Sequence, residues 1–196
     1  TLYFSADSGG RELWKSNGDS AGTVLVKDIR AGSTGCSPDT LMNVSGNLFF
    51  VANDGTNGLE LWKSDGTDAG TVMVKDINTG TGSSNPFSLC NANGILYFSA
   101  NDGTNGSELW KSDGTDAGTV MVKNIYPNGS VGSSIGEITN VNGTVFFAAN
   151  STNFINGKDL WKSDGTDAGT VMVKDINTSS SNGSNPMSLI NFKGML

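Results

Sequence analysis

Short apolar runs recur along the chain at the two-residue spacing of β-strands, and clusters of Gly, Asn, Asp, Ser and Thr separate them. Four such runs follow one another in the best-defined stretch: residues 86–92 (PFSLCNA), 95–100 (ILYFSA), 108–112 (ELWKS) and 119–125 (TVMVKNI). Two residues, Asn93 and Gly94, join the first run to the second, and Ser45-Gly46, Asn142-Gly143 and Lys193-Gly194 hold the same place elsewhere. An x-Gly pair supplies the positive φ of a type I′ turn, so each of these joints predicts a β-hairpin. The second run is apolar on both faces, with Leu96, Phe98 and Ala100 set against Tyr97. A strand of that kind belongs in a sheet covered on both sides.

The pattern repeats. Residues 60–75 read ELWKSDGTDAGTVMVK; residues 108–123 repeat them letter for letter, 159–174 differ in the first position and 12–27 differ in four. Trp14, Trp62, Trp110 and Trp161 mark the period, at intervals of 48, 48 and 51 residues. A period near 50 belongs to propellers and solenoids, whose units cannot bury their own faces alone. The predicted fold is therefore all-β: a β-propeller of four-stranded antiparallel blades, with four blade equivalents in a single repeat domain spanning residues 1–196. The blades fall at residues 37–77, 85–125 and 134–176, and a composite one joins residues 185–196 to 1–29. Pairing strands from the two ends abolishes free sheet edges. Alternatively the chain is an excerpt of a longer array, or two copies complete a larger ring; the absence of a starting Met and the break inside a second strand favour these.

Composition narrows the field. Gly, Ser, Asn and Thr make 91 of 196 residues, which is turn chemistry and excludes an all-helical chain. Twelve Lys and Arg against 19 Asp and Glu give a net charge of −7, a deficit of the cations that nucleic-acid binding needs. There is no His, so the commonest general base and metal ligand is missing. No apolar stretch approaches the roughly 18 residues of a membrane helix. Cys36 and Cys90 hold non-equivalent places, which disfavours a bridge, and Cys90 reads as a small core residue.

At ELWKSDGTDAGT the chain resembles the bacterial proteins known by their ELWxxDGTxxGT repeats. The resemblance covers all four units, with Asn17 and Asp19 departing from the pattern in the first. It implies an extracellular or cell-surface repeat protein of propeller architecture, and it carries over no catalytic residue.

Two kinds of loop offer chemistry. In the DGTDAGT turn, Asp65 and Asp68, repeated as Asp113 and Asp116 and as Asp164 and Asp167, are oxygen donors of the kind Ca²⁺ takes. The preferred reading is structural, because an Asp in such a turn accepts backbone N–H bonds; no cofactor is expected, with Ca²⁺ the one exception to test. The connections from second to third strand, and from each unit to the next, emerge on the opposite side and vary in length. Function is expected on such loops, so Arg11, Arg30, Asp54, Asn57, Asp102, Asn105, Tyr126, Phe154 and Asn156 are the candidate exposed residues of a recognition face. The tryptophans fit packing between blades better than sugar stacking.

Equal blades place equal groups around an axis, whereas an enzyme needs unlike groups with separated pKa values. Non-enzymatic adhesion, or recognition of protein or glycan, is therefore the expected role, helped by avidity. The alternative is a structural surface-layer or filament component whose blades mediate self-assembly. Neither nucleic acid nor membrane insertion is expected.

Overall fold

The computed structural model describes residues 1–127, 130–151, 157–178 and 183–196. It divides into two compact units, Thr1–Pro86 and Phe87–Leu196, each holding two antiparallel sheets. In the first unit, β1 (Leu2–Asp7), β2 (Arg11–Ser16) and β3 (Val24–Lys27) form a three-stranded sheet; β4 (Asp39–Val44), β5 (Asn47–Asn53), β6 (Leu59–Ser64) and β7 (Val72–Lys75) form a four-stranded one. The second unit has two four-stranded sheets. One is β8 (Phe87–Ala92), β9 (Ile95–Asn101), β10 (Ser107–Ser112) and β11 (Val120–Lys123); the other is β12 (Ile138–Val141), β13 (Thr144–Ala149), β14 (Asp159–Ser163) and β15 (Val171–Lys174). Within every sheet the strands neighbour one another in chain order, so each is a meander.

The hairpins form as their residues require: Ser45 and Gly46 have φ of 52° and 89°, and Asn93 and Gly94 have 54° and 83°. An asparagine on each first strand closes the turn. Asn43, Asn91 and Asn140 accept through Oδ1 from the amides of Gly46, Gly94 and Gly143 at 3.1, 3.0 and 2.8 Å. In the second unit the other end of the same amide ties neighbours together, since Asn140 Nδ2 donates to the Asn91 carbonyl at 2.9 Å. Asn191 repeats both bonds one step further along, to Gly194 and to the Asn140 carbonyl.

The core lies between the two sheets of each unit. In the first, Leu13, Phe50, Ala52 and Trp62 are buried with Tyr3 and Met73 against them; in the second, Tyr97, Leu109, Phe147 and Trp161 make the equivalent cluster. Phe50 lies directly across from Trp62, and Phe147 from Trp161, which places the two largest rings of each sheet side by side. Full burial of each such ring is worth roughly 2–3 kcal/mol. All four indole N–H groups are buried with no acceptor from the protein.

Two irregularities recur. Leu61 pairs with Lys75 and Trp62 with Met73, so Val74 is an extra residue that bulges and turns its side chain into the core. The first strands also slip, between Asp39 and Met42 and between Phe87 and Cys90, where Thr40 and Ser88 adopt left-handed φ of 50° and 54°.

The sheet that begins at β1 contains three strands. Residues 185–196, expected to complete it, pair with themselves through Phe192 and Met195 and bond beside β12 within the second unit: the Leu189 amide donates to Glu137 at 3.2 Å, and Thr139 Oγ1 donates to the Leu189 carbonyl at 3.1 Å.

Candidate functional site

Each strand that carries a repeat tryptophan, β2, β6, β10 and β14, has an acidic residue at its first or second position, and these carboxylates are buried. Glu60 accepts from the amides of Ile77 (3.1 Å), Asn78 (3.4 Å) and Ser84 (2.8 Å), and from the Ser84 hydroxyl. Glu108 accepts from Ile125, Tyr126 and Ser133, and Glu12 from Ile29, Arg30 and Cys36. Asp159, one methylene shorter, holds the amide and hydroxyl of Ser184. The carboxylate thus pins the chain that leaves the fourth strand to the strand three of its own sheet. Burial raises the Glu60 and Glu108 carboxyls above the ordinary range, and the donors pull them back only in part. The glutamates were absent from the expected site; their signal was an acid recurring at one place in a buried strand.

The SDGTxxGT turn is a closed network. Asp65 Oδ1 accepts from the Thr67 amide (2.8 Å) and hydroxyl (2.7 Å), and the Thr67 oxygen in turn accepts from Gly70 N at 2.9 Å. Thr71 Oγ1 donates to the Thr67 carbonyl at 2.6 Å and accepts from the Ser64 hydroxyl at 2.7 Å. Residues 112–119 and 163–170 repeat these bonds. In the first sheet the roles are exchanged, for Asp19 Oδ1 accepts from Gly22 N at 2.6 Å while Asn17 Oδ1 accepts from Asp19 N. The Thr67 donors hold the Asp65 carboxyl below the ordinary value, as Thr166 does for Asp164.

The expected metal ligands diverge rather than converge. Asp65 turns to Thr67, whereas Asp68 pairs with Lys27 at 3.3 Å, and Asp167 pairs with Lys123 at 3.5 Å. Asp113 is bonded to Thr115, and Asp116 accepts from the Thr119 amide through its carbonyl. Among the described residues, no group of three or more His, Cys, Asp or Glu side chains is placed to hold a metal ion.

Of the expected recognition residues, Arg11 is exposed, while Arg30, Asp54, Asn57, Asp102, Asn105 and Tyr126 are half-buried. That differs from the expectation of an exposed set, and the reason is local bonding. Asp54 accepts from the Thr56 and Asn57 amides and from Asn57 Nδ2, each at 2.8 Å; Asp102 treats Thr104 and Asn105 in the same way. Burial works to raise these two carboxyls, and the amides outweigh it, leaving both below the ordinary value. Asn105 also accepts from Asn124 at 2.9 Å. The Arg30 guanidinium lies across Gly55, with Nε 2.9 Å from where a Cβ would stand. Phe154 and Asn156 fall outside the described residues. Cys36 and Cys90 are free and buried, and burial raises both thiols, Cys36 more strongly because Glu12 lies beside it.

On the side of the SDGT turns, a cleft of about 410 Å³ opens between the two sheets of each unit. Tyr3, Lys15, Asn17, Val24 and Asp65 line the first; Tyr97, Lys111, Asp113, Val120 and Asp164 line the second. Lys15 Nζ donates to the Gly66 carbonyl and Lys111 Nζ to that of Gly165, both at 2.8 Å. Composing these clefts takes two sheets, and sequence reading did not find them.

No family model and no curated protein matches the chain. Solved structures resemble it. One comes from a structural and mechanistic analysis of two prolyl endopeptidases, with a TM-score of 0.52 and 12% identity over 87% of this chain and 24% of that one. Another is puromycin hydrolase, with a TM-score of 0.54 and 12% identity over 85% and 26%. This chain spans about a quarter of their length, and the likeness extends to the antiparallel all-β fold alone.

Proposed function

We propose that this chain is a non-enzymatic β-propeller-type module of the cell exterior that recognises protein or glycan through its variable connectors. The observation that carries the reading is the contrast between a polar turn network repeated in three sheets and connectors that change in length and sequence, from residues 7–11 through the near-identical 53–59 and 101–107 to the longer 150–158. Carboxylates committed to backbone donors serve as scaffold, which suits binding better than proton transfer. The propeller itself is part of the proposal, supported by the match to peptidases that contain one. A closed ring of 196 residues has a radius of gyration of about 16 Å in solution scattering, and an open spiral a larger one. The functional test presents the full chain to arrays of surface proteins and glycans. Binding that Arg11→Ala weakens supports the connector reading; turnover of peptide substrates overturns the non-enzymatic one.

Self-assembly is a second reading, favoured by the exposed Met187, Ile190, Phe192 and Met195 on residues 185–196. Sedimentation that shows polymers without any ligand supports it.

A further inference from the structure

The clefts on the SDGT side hold a composition that the fold alone does not require. In the second unit Tyr97 and Lys111 stand at the base, the half-exposed Val120 forms an apolar wall, and Asp113 and Asp164 supply carboxylates. The first unit places Tyr3, Lys15, Val24 and Asp65 at the same repeat positions and has Asn17 where the second has Asp113. Tyrosine occupies this base only in the sheets beginning at β1 and β8; Phe49 and Phe146 take its place in the other two. The two tyrosine clefts share one volume, about 410 Å³ each, within the range of small-molecule sites.

We infer that these two clefts are equivalent binding sites for a neutral saccharide. Their formal charges differ, with Lys15 and Asp65 balancing in the first and Asp113 adding a negative charge in the second. An ionic ligand would distinguish them. A sugar hydroxyl donates to a carboxylate or amide oxygen and accepts from an ammonium or phenol, so it uses Tyr, Lys, Asp and Asn or Asp alike, through the stronger charge-assisted kind of bond. The Val methyls and the Lys stem meet the C–H face of such a ring. This site lies at the end of the strands opposite the variable connectors, so it goes beyond the reading proposed above and stands or falls separately.

The test titrates the full chain with a panel of neutral mono- and disaccharides, with a uronic acid and an amino sugar as charged controls, and follows the methyl signals of Val24 and Val120. The expected result is millimolar binding of a neutral member that shifts both valines. Val24→Trp with Val120→Trp fills both clefts from half-exposed positions and should weaken binding about tenfold or more. Asp113→Asn gives the second cleft the amide already present at Asn17 and should change affinity by less than about threefold. A panel that shifts neither valine overturns the inference, as does binding that survives the tryptophan pair, or a preference for the amino sugar that Asp113→Asn abolishes. Array binding weakened by Arg11→Ala would leave the connector reading standing in each of those cases.

Discussion

Glu60 and Asp65 stand near opposite ends of one six-residue strand, and both spend their charge on backbone amides. Glu60 is 0% exposed, and Asp65 lies at the surface. The same chemistry therefore has opposite electrostatic outcomes. Burial penalises the ionised Glu60 more than its donors favour it, while the exposed Asp65 keeps the benefit of its hydrogen bonds at little cost in hydration. The pair also divides the labour of the repeat: Asp65 closes a turn with residues within five positions of itself, and Glu60 captures amides 17 to 24 residues away.

Removing the long-range member should have the largest effect. Glu60→Ala leaves the amides of Ile77, Asn78 and Ser84 without their acceptor in a buried site, and stability should fall by about 3 kcal/mol. Denaturant unfolding measures it, as a lower midpoint at constant slope. A loss below about 1 kcal/mol would mean that these amides find water and that the carboxylate is not the latch.

The two carboxyl types also predict a stability profile with two slopes. Glu60 and Glu108 titrate above their ordinary 4.5 in the folded state, so their contribution is complete below that value and is lost as the pH rises through the folded pKa. Asp54, Asp65, Asp102 and Asp164 titrate below 3.8; their contribution is present above that value and is lost as the pH falls through the folded pKa. Melting temperature should therefore rise on mild acidification from neutral pH and fall again below 3.8. Glu60→Gln combined with Glu108→Gln should flatten the first limb and spare the second.

A smaller effect belongs to the glycine that the Asp turn makes necessary. Gly165 has φ of 89°, and a Cβ there would stand 2.3 Å from the Tyr97 hydroxyl. Gly165→Ala should cost about 1–2 kcal/mol, from left-handed strain and from displacement of the ring. Adding Tyr97→Phe, the residue type already present at Phe49 and Phe146, removes the second part alone. A double-mutant cycle separates the two; equal costs in the Tyr and Phe backgrounds would show that the hydroxyl yields freely.

The sequence made the local half of this architecture readable. Strand limits, hairpins such as Asn93-Gly94 and the turn role of Asp65 follow from residues that are neighbours in the chain. Val74, which bulges, and Ser88, which turns left-handed within its strand, carry no local mark because the slip is defined against a partner strand. The Glu60 latch was hidden for the same reason, with donors on a connector that no periodicity links to it. Among the candidate residues, Asp54 and Asn57 lie on the connector between β5 and β6, and their mutual bonds could not be seen from composition. The clefts were hidden most completely, since Tyr97 and Asp164 meet only when two sheets do.

The smallest effect should come from Asp65→Asn, and it is the sharpest test of what the exposed carboxylate does. The first sheet already holds Asn17 at this place, where Oδ1 accepts from the Asp19 amide at 3.2 Å, so the turn tolerates the amide. There, however, the negative charge has moved two residues along to Asp19, which binds Gly22 N. Asp65→Asn alone keeps an oxygen for the Thr67 amide and hydroxyl but places no charge at position 67. The denaturation midpoint at neutral pH should move less than for any variant above, and the loss of stability below pH 3.8 should become shallower because one depressed carboxyl is gone. Adding Thr67→Asp restores the arrangement of the first sheet. The double variant should recover the neutral-pH denaturation midpoint if position and charge are exchangeable within the turn. It should be worse than Asp65→Asn if the Thr67 hydroxyl, which receives from Asp65's side of the turn no proton but gives one to it and takes one from Gly70 N, is what the repeat selects.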